Sequence, residues 1–150
     1  IKAFEKFRED GIFEDRMMRK VKSFVEAKIY PFDCGATGGN QIVIAPDGEV
    51  GICHGYLSER KYFVSNVKDF KFNPEHNDEF IEWSKRTPLN MEECQNCIAL
   101  GICGGGCPLN AMKNEGSIWK LDKRFCTHAK KTLEWLLWDL FEKIKNKSNQ

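Results

Sequence analysis

Residues 93–108 read Glu-Cys-Gln-Asn-Cys-Ile-Ala-Leu-Gly-Ile-Cys-Gly-Gly-Gly-Cys-Pro. The cysteines of this stretch, Cys94, Cys97, Cys103 and Cys107, fall at C-x2-C-x5-C-x3-C spacing. Tight pairing of this kind is a ligand spacing and not a packing one, so scattered buried thiols do not account for it. The run Gly104, Gly105, Gly106 lets the backbone fold tightly between Cys103 and Cys107, as a loop around an inorganic centre requires.

Outward from this stretch lie Cys34, Cys53 and Cys126, which bring the total to seven. An odd number leaves one thiol over in any disulfide framework, and nothing in the chain signals secretion. Two chemistries remain open on the residues alone. In one, the thiolates hold two zinc ions, one site with four cysteines and the other with three plus His54 or His128. In the other, they hold iron–sulfur clusters.

The sequence around the cysteines predicts an α+β domain. Lys2 to Glu9 reads as a short helix, broken at Asp10-Gly11. A longer helix follows, with Phe13, Met17, Val21 and Phe24 on its apolar stripe, and ends before Pro31. Gln41 to Ala45 and Glu49 to Cys53 read as a β-hairpin turned at Pro46-Asp47-Gly48. Asn77 to Arg86 reads as a short helix stopped by Thr87-Pro88, and Met91 to Asn114 as a knot with one or two helical turns. The last helix is predicted from Phe125 to Lys145, with Leu133, Leu136, Leu137, Leu140, Phe141 and Ile144 on one face. Cys126 falls at its start, where free N–H groups favour a thiolate. Trp119, Trp135 and Trp138 read as packing residues, Asp47 as a turn residue, and Glu92 and Glu93 as solvated.

At 150 residues the chain is one domain, or one plus an appendage, small enough for inorganic cross-links to matter to its stability. Its 23 basic side chains against 22 acidic ones argue against an electrostatic grip on nucleic acid. No apolar run approaches the ~20 residues of a membrane span. No signal peptide is visible, and a reducing cytoplasm suits the thiols.

The full array is C-x13-G-x4-C, a gap, C-x2-C-x5-C-x3-C, a gap, and C, made by Cys34, Gly48, Cys53, Cys94, Cys97, Cys103, Cys107 and Cys126. This resembles the SPASM domain, the auxiliary-cluster domain of radical S-adenosylmethionine enzymes that modify peptides and proteins. The resemblance runs from Cys34 to Cys126 and is complete in order and spacing. It implies two auxiliary [4Fe–4S] clusters with interleaved ligands. Cys34, Cys53 and Cys107 would hold the first; Cys94, Cys97, Cys103 and Cys126 would hold the second. Each centre would then pin the other's loop, so that neither half folds well alone. Some members supply a fourth ligand to the first cluster from just upstream. No cysteine precedes Cys34, which leaves an open iron or a ligand of another kind, with Asp33 and His54 the nearest candidates. His54 also stands where sulfatase-maturing members carry an acidic base directly after the second motif cysteine, so crosslinking of a ribosomal peptide is the more open choice.

No C-x3-C-x2-C triplet occurs, since Asn110 stands three places after Cys107. The resemblance therefore implies that S-adenosylmethionine binds only to an upstream barrel outside this chain, and that the chain is not catalytic alone. No Ser–His–Asp or paired-carboxylate arrangement is defensible from spacing. The chain opens on Ile1 without a Met, and the expected organisation is a helical bridge over 1–30, the auxiliary-cluster domain over 31–145 and a frayed tail over 146–150. Expected partners are that barrel and a peptide or protein substrate, with no nucleic acid and no membrane. Two other readings are a zinc-stabilised binding module and a stand-alone ferredoxin-like carrier. Zinc is also expected in isolated or air-exposed protein, where it occupies vacated thiolates.

Overall fold

A computed structural model describes residues 1–148 of the chain. Helix α1 (Lys2–Glu9) closes at Asp10, and helix α2 (Asp15–Glu26) opens one residue after Glu14. The Glu14 carboxylate accepts from the backbone N–H of Arg16 (3.2 Å) and Met17 (2.7 Å), satisfying two of the donors a helix start leaves free. Phe13 therefore falls outside the helix and is 72% exposed. The rest of the stripe behaves as core: Met17 is buried, and Val21 and Phe24 pack on a cluster of Ala99, Ile102, Ala129 and Leu136.

Helix α2 also serves the cysteine stretch directly. The single turn α4 (Leu100–Cys103) exposes carbonyls that its own backbone cannot pair. Ser23 Oγ donates to Gly101 O (2.6 Å), Tyr30 N to Gly101 O (3.3 Å) and Lys20 Nζ to Ile102 O (3.1 Å). The turn that carries Cys103 is thus held from outside.

The hairpin forms as the sequence predicts, but its strands are shorter: β1 is Val43–Ile44 and β2 is Glu49–Gly51, with Val43 opposite Gly51 and Ile44 opposite Val50. At the open end the Gln41 side chain donates to Ile52 O (2.9 Å) in place of a ladder bond. A third antiparallel strand, β3 (Phe63–Asn66), completes the order β1-β2-β3 and is absent from the sequence reading. It has four residues and follows Arg60 and Tyr62, both at positive φ, so no alternation long enough to read precedes or spans it.

Helix α3 (Asp78–Ser84) is capped by Asn77, whose side chain accepts from Glu79 N and Phe80 N, and it buries Phe80 and Trp83. Helix α5 (Pro108–Glu115) starts on the proline after Cys107, where a missing N–H costs nothing. Helix α6 (Lys123–Ser148) begins two residues before the predicted start, because the Asp122 carboxylate accepts from Arg124 N (3.1 Å). It also runs past the predicted end at Lys145, so residues 146–148 are helical, while Asn149 and Gln150 lie outside the described residues. Only part of its apolar face is used. Leu136 is buried and Leu133 half-buried, but Leu137, Leu140, Phe141 and Ile144 are exposed. Trp138 is 61% exposed and is no core residue, whereas Trp135 packs edge-on to Phe4 at 5.5 Å. No helix among the described residues is long and apolar enough to cross a membrane.

Three apolar clusters result. One joins Ile52, Cys53, Tyr56, Phe80, Trp83 and Ile118; one joins α4 to α6; the third is Met91, Cys94 and Leu121. The glycine run is closely packed by other parts of the chain. Gly104 has φ +70°, and a Cβ there would lie 2.6 Å from both Phe32 C and Asp33 N, the backbone just before Cys34. Gly116, the C-cap of α5, has φ +75° with open space around it. Gly116→Ala is expected to cost about 1 kcal/mol, the left-handed penalty alone. Gly104→Ala is expected to cost roughly 3–4 kcal/mol, because the overpacking adds to that penalty. Urea melts of the two variants check the difference.

Candidate metal-cluster site

All seven cysteines are free thiols, and Cys53 and Cys94 are buried. Four of them line one recess of about 230 Å³: Cys94 and Cys97 from the turn before α4, Cys103 from its end, and Cys126 from the first turn of α6. Pro88, Gly105, Gly106, Leu121 and Phe125 form much of the remaining wall. A water needs only ~10–15 Å³ on such a measure, so the recess has room for a body of several atoms. Among the described residues, no three His, Cys, Asp or Glu side chains stand close enough to hold a single metal ion.

The other three cysteines lie outside that recess, and Cys107 and Cys34 both act electrostatically on Cys53. Cys53 follows β2 and opens a short turn, in which Tyr56 N donates to Cys53 O (3.1 Å). Cys34 packs against the same apolar cluster as Cys53, and Thr37 Oγ1 donates to Cys34 O (3.2 Å), fixing that loop. Cys107 caps α5.

Electrostatics separates the thiols into the same two groups. Burial pushes the Cys53 thiol up, an N–H of Gly55 pulls it back, and Cys107 and Cys34 push it further. Burial pushes Cys94 up to about 11, with Cys103, Cys126 and Cys97 adding to it. Cys103 and Cys126 are raised as well, first by burial. For Cys126, burial outweighs the cations Lys123 and Lys130.

Several polar residues that carry no sequence signal are buried in the same part of the fold as these groups. Tyr56 Oη and Trp83 Nε1 are buried and lack a hydrogen-bond partner among the described residues, although both belong to the cluster that holds Cys53. Buried donors are normally paired, and the sulfides of an iron–sulfur cluster are acceptors, so this donor set fits such a group. Lys20 is buried beside Cys103; burial lowers its pKa, while Cys103 and Asp33 oppose the change. Arg86 is fully buried, its pKa lowered by burial and raised by Cys107, Cys94, Cys34 and Cys103.

The weaker candidates fare differently. Asp33 is buried and lines a small crevice with Arg19, Lys20 and Cys103, on the side of the four-cysteine group. His54 is exposed, and its carbonyl accepts from Leu57 N (3.1 Å). His128 lines a separate crevice with Arg16, Asn110 and Asp122, and burial lowers its pKa. Glu93 is tied to Lys123 (2.6 Å), and Asp47 to Arg60 (2.9 Å) in the hairpin turn.

The raised thiols fix the sign of a pH effect. In metal-free protein the unfolded cysteines release protons near pH ~8.5, while the folded Cys94 holds its proton to about 11. The folded state binds more protons across that window, so stability is present below it and falls as pH rises through it. Urea melts of metal-free protein from pH 8 to 11 are expected to show this decline. Metal loading, which needs thiolates, is expected to release protons and remove it.

No protein-family model matches the chain. Curated relatives do. A radical SAM cyclopropyl synthase, TigE, of Paramaledivibacter caminithermalis is 34% identical over 113 residues, which is 75% of this chain and 22% of that protein. Cysteine-type anaerobic sulfatase-maturating enzymes of two Clostridium perfringens strains are 29% identical over 132 residues, 84% of this chain and 32% of each enzyme. The chain thus spans between about a fifth and a third of the length of the relatives it matches. With the complete cysteine–glycine array, this relatedness identifies the chain as a SPASM-type domain akin to those of the radical S-adenosylmethionine modifying enzymes.

Proposed function

We propose that the chain holds two auxiliary [4Fe–4S] clusters beside the active site of a radical S-adenosylmethionine enzyme. The carrying observation is the recess lined by Cys94, Cys97, Cys103 and Cys126, four thiols from two distant parts of the chain. Cys34, Cys53 and Cys107 are the ligands of the first cluster, and the orphaned donors of Tyr56 and Trp83 beside Cys53 support an anionic, sulfide-bearing occupant. Four thiolates about 2.3 Å from one zinc stand within about 4 Å of each other. The recess of about 230 Å³ that the four thiols share has room for a body larger than one ion, which supports the cluster reading over the zinc one.

When bound, such clusters supply electron transfer and a Lewis-acidic iron. The first has three cysteines, and its fourth iron is open to a substrate group or to a ligand from outside the chain. The radical chemistry belongs to an upstream barrel, because no C-x3-C-x2-C triplet lies in these 150 residues. Residues 1–30 form the bridge from that barrel, and α2 anchors it through Ser23 and Lys20. The substrate is a ribosomally made peptide or protein, and the compartment is the reducing cytoplasm. A related cyclopropyl synthase and related sulfatase-maturating enzymes support a modifying role.

Anaerobically prepared protein is expected to be brown, with about eight iron and eight sulfide attributable to this domain. Cys34→Ala and Cys94→Ala are each expected to remove about four iron and a different cluster's EPR or Mössbauer signal. Loss of the same signal in both would refute the ligand partition, and colourless protein with two zinc per chain would favour the binding-module reading.

A further inference from the structure

Arg86 is an electrostatic anomaly. Its side chain is 0% exposed, and its guanidinium donates to three carbonyls: Nε to Ile118 O, Nη1 to Gly106 O (2.9 Å) and Nη2 to Lys120 O (3.2 Å). No carboxylate pairs with it among the described residues. Carbonyl oxygens satisfy the N–H groups but carry no net charge. A cation taken out of water without an opposite charge is strongly disfavoured.

Its position supplies the missing charge. Gly106, which it holds, is the residue before Cys107. A Cβ on Gly105 would sit 3.6 Å from its Nη1, and Gly105, Gly106 and Pro88 all line the four-cysteine recess. Arg86 therefore stands behind the three-residue bridge that joins the two cysteine groups, and the cysteines within its field come from both: Cys107 and Cys34 of one, Cys94 and Cys103 of the other.

We infer that Arg86 is the shared counter-cation of the two sites and raises the reduction potential of both clusters together; this rests on the cluster assignment proposed above. Thiolate-ligated clusters bring net negative charge to both sides of the bridge. Reduction adds one more electron to a cluster, and a fixed buried cation nearby favours that step. Because the cation lies between the groups, its removal acts on both. Lysine keeps the charge but cannot span three carbonyls with a planar fork, whereas glutamine keeps an amide donor and loses the charge. Comparing the two separates charge from hydrogen bonding.

The test is an EPR-monitored redox titration of the full-length protein, prepared anaerobically as wild type, Arg86→Lys and Arg86→Gln. The signal that responds to S-adenosylmethionine is the internal control and stays put. The two auxiliary signals are identified with Cys34→Ala and Cys94→Ala. Arg86→Gln is expected to lower the reduced-to-oxidised ratio of both auxiliary clusters about tenfold at fixed solution potential, about 59 mV for a one-electron couple. Arg86→Lys is expected to leave both near wild type while lowering iron retention. An unchanged Arg86→Gln, a shift confined to one cluster, or an equal shift in Arg86→Lys overturns the inference. If Arg86→Gln fails to hold iron, Arg86→Lys decides: wild-type potentials at both clusters support the role, and a tenfold shift at either overturns it. Absence of both auxiliary signals from the wild type overturns the cluster assignment and this role with it, whereas two intact signals indifferent to Arg86→Gln overturn this role alone.

Discussion

The constraint on which the rest of this structure depends is the three-residue bridge from Cys103 to Cys107. Its glycines all have positive φ, and each faces a different neighbour: Gly104 the backbone of Phe32 and Asp33, Gly105 Pro88, and Gly106 the ring of Phe125. Those neighbours lie beside Cys34, Arg86 and Cys126 in the chain. One short, side-chain-free segment therefore sets the distance between the N-terminal cysteine loop, the α3 exit and the start of α6. A methyl group at Gly104 would push directly on the backbone that leads to Cys34, which makes the bridge a geometric requirement as well as a conformational one.

The core is divided among three clusters and is not a single apolar mass. One cluster lies under the sheet and α3, one between α2, α4 and α6, and a small one around Met91 and Leu121. Cysteines occur at the edge or inside each, with Cys53 in the first, Cys97 and Cys103 beside the second and Cys94 in the third. A chain this size buries a modest fraction of its surface, and metal binding that draws separate clusters together contributes folding free energy directly. The buried, protonated thiols of metal-free protein are the other face of the same coupling, since thiols that favour protonation when empty must give up protons to bind metal.

The polar residues around the sites divide the labour. Ser23, Lys20 and Tyr30 hold the carbonyls of the turn that carries Cys103. Arg86 holds the carbonyl before Cys107 and two carbonyls of the 118–120 segment that leads into α6. Residues distant in sequence thereby hold the backbone on either side of Cys103 and Cys107, as the proposed interleaved ligand set would require.

How much of this was legible in the chain follows from the range over which each signal acts. Cysteine spacing, the Pro46-Asp47-Gly48 turn, the apolar period of α2 and α6 and the proline stops are local, and they determined the α+β class, the hairpin and all seven candidate ligands. Strand β3 was not legible, because four residues after two positive-φ positions carry no pattern of their own and pair only when β2 is present. Nor were Tyr56, Trp83 and Arg86: one basic residue among 23 has no mark in sequence, and its burial, its three carbonyl partners and its place between two cysteine groups exist only once residues 86, 106 and 118–120 are brought together. The sequence alone determined which atoms are available to bind metal. Only the tertiary structure decided which charges and donors surround them, because desolvation and Coulomb interaction depend on distances through space and not along the chain.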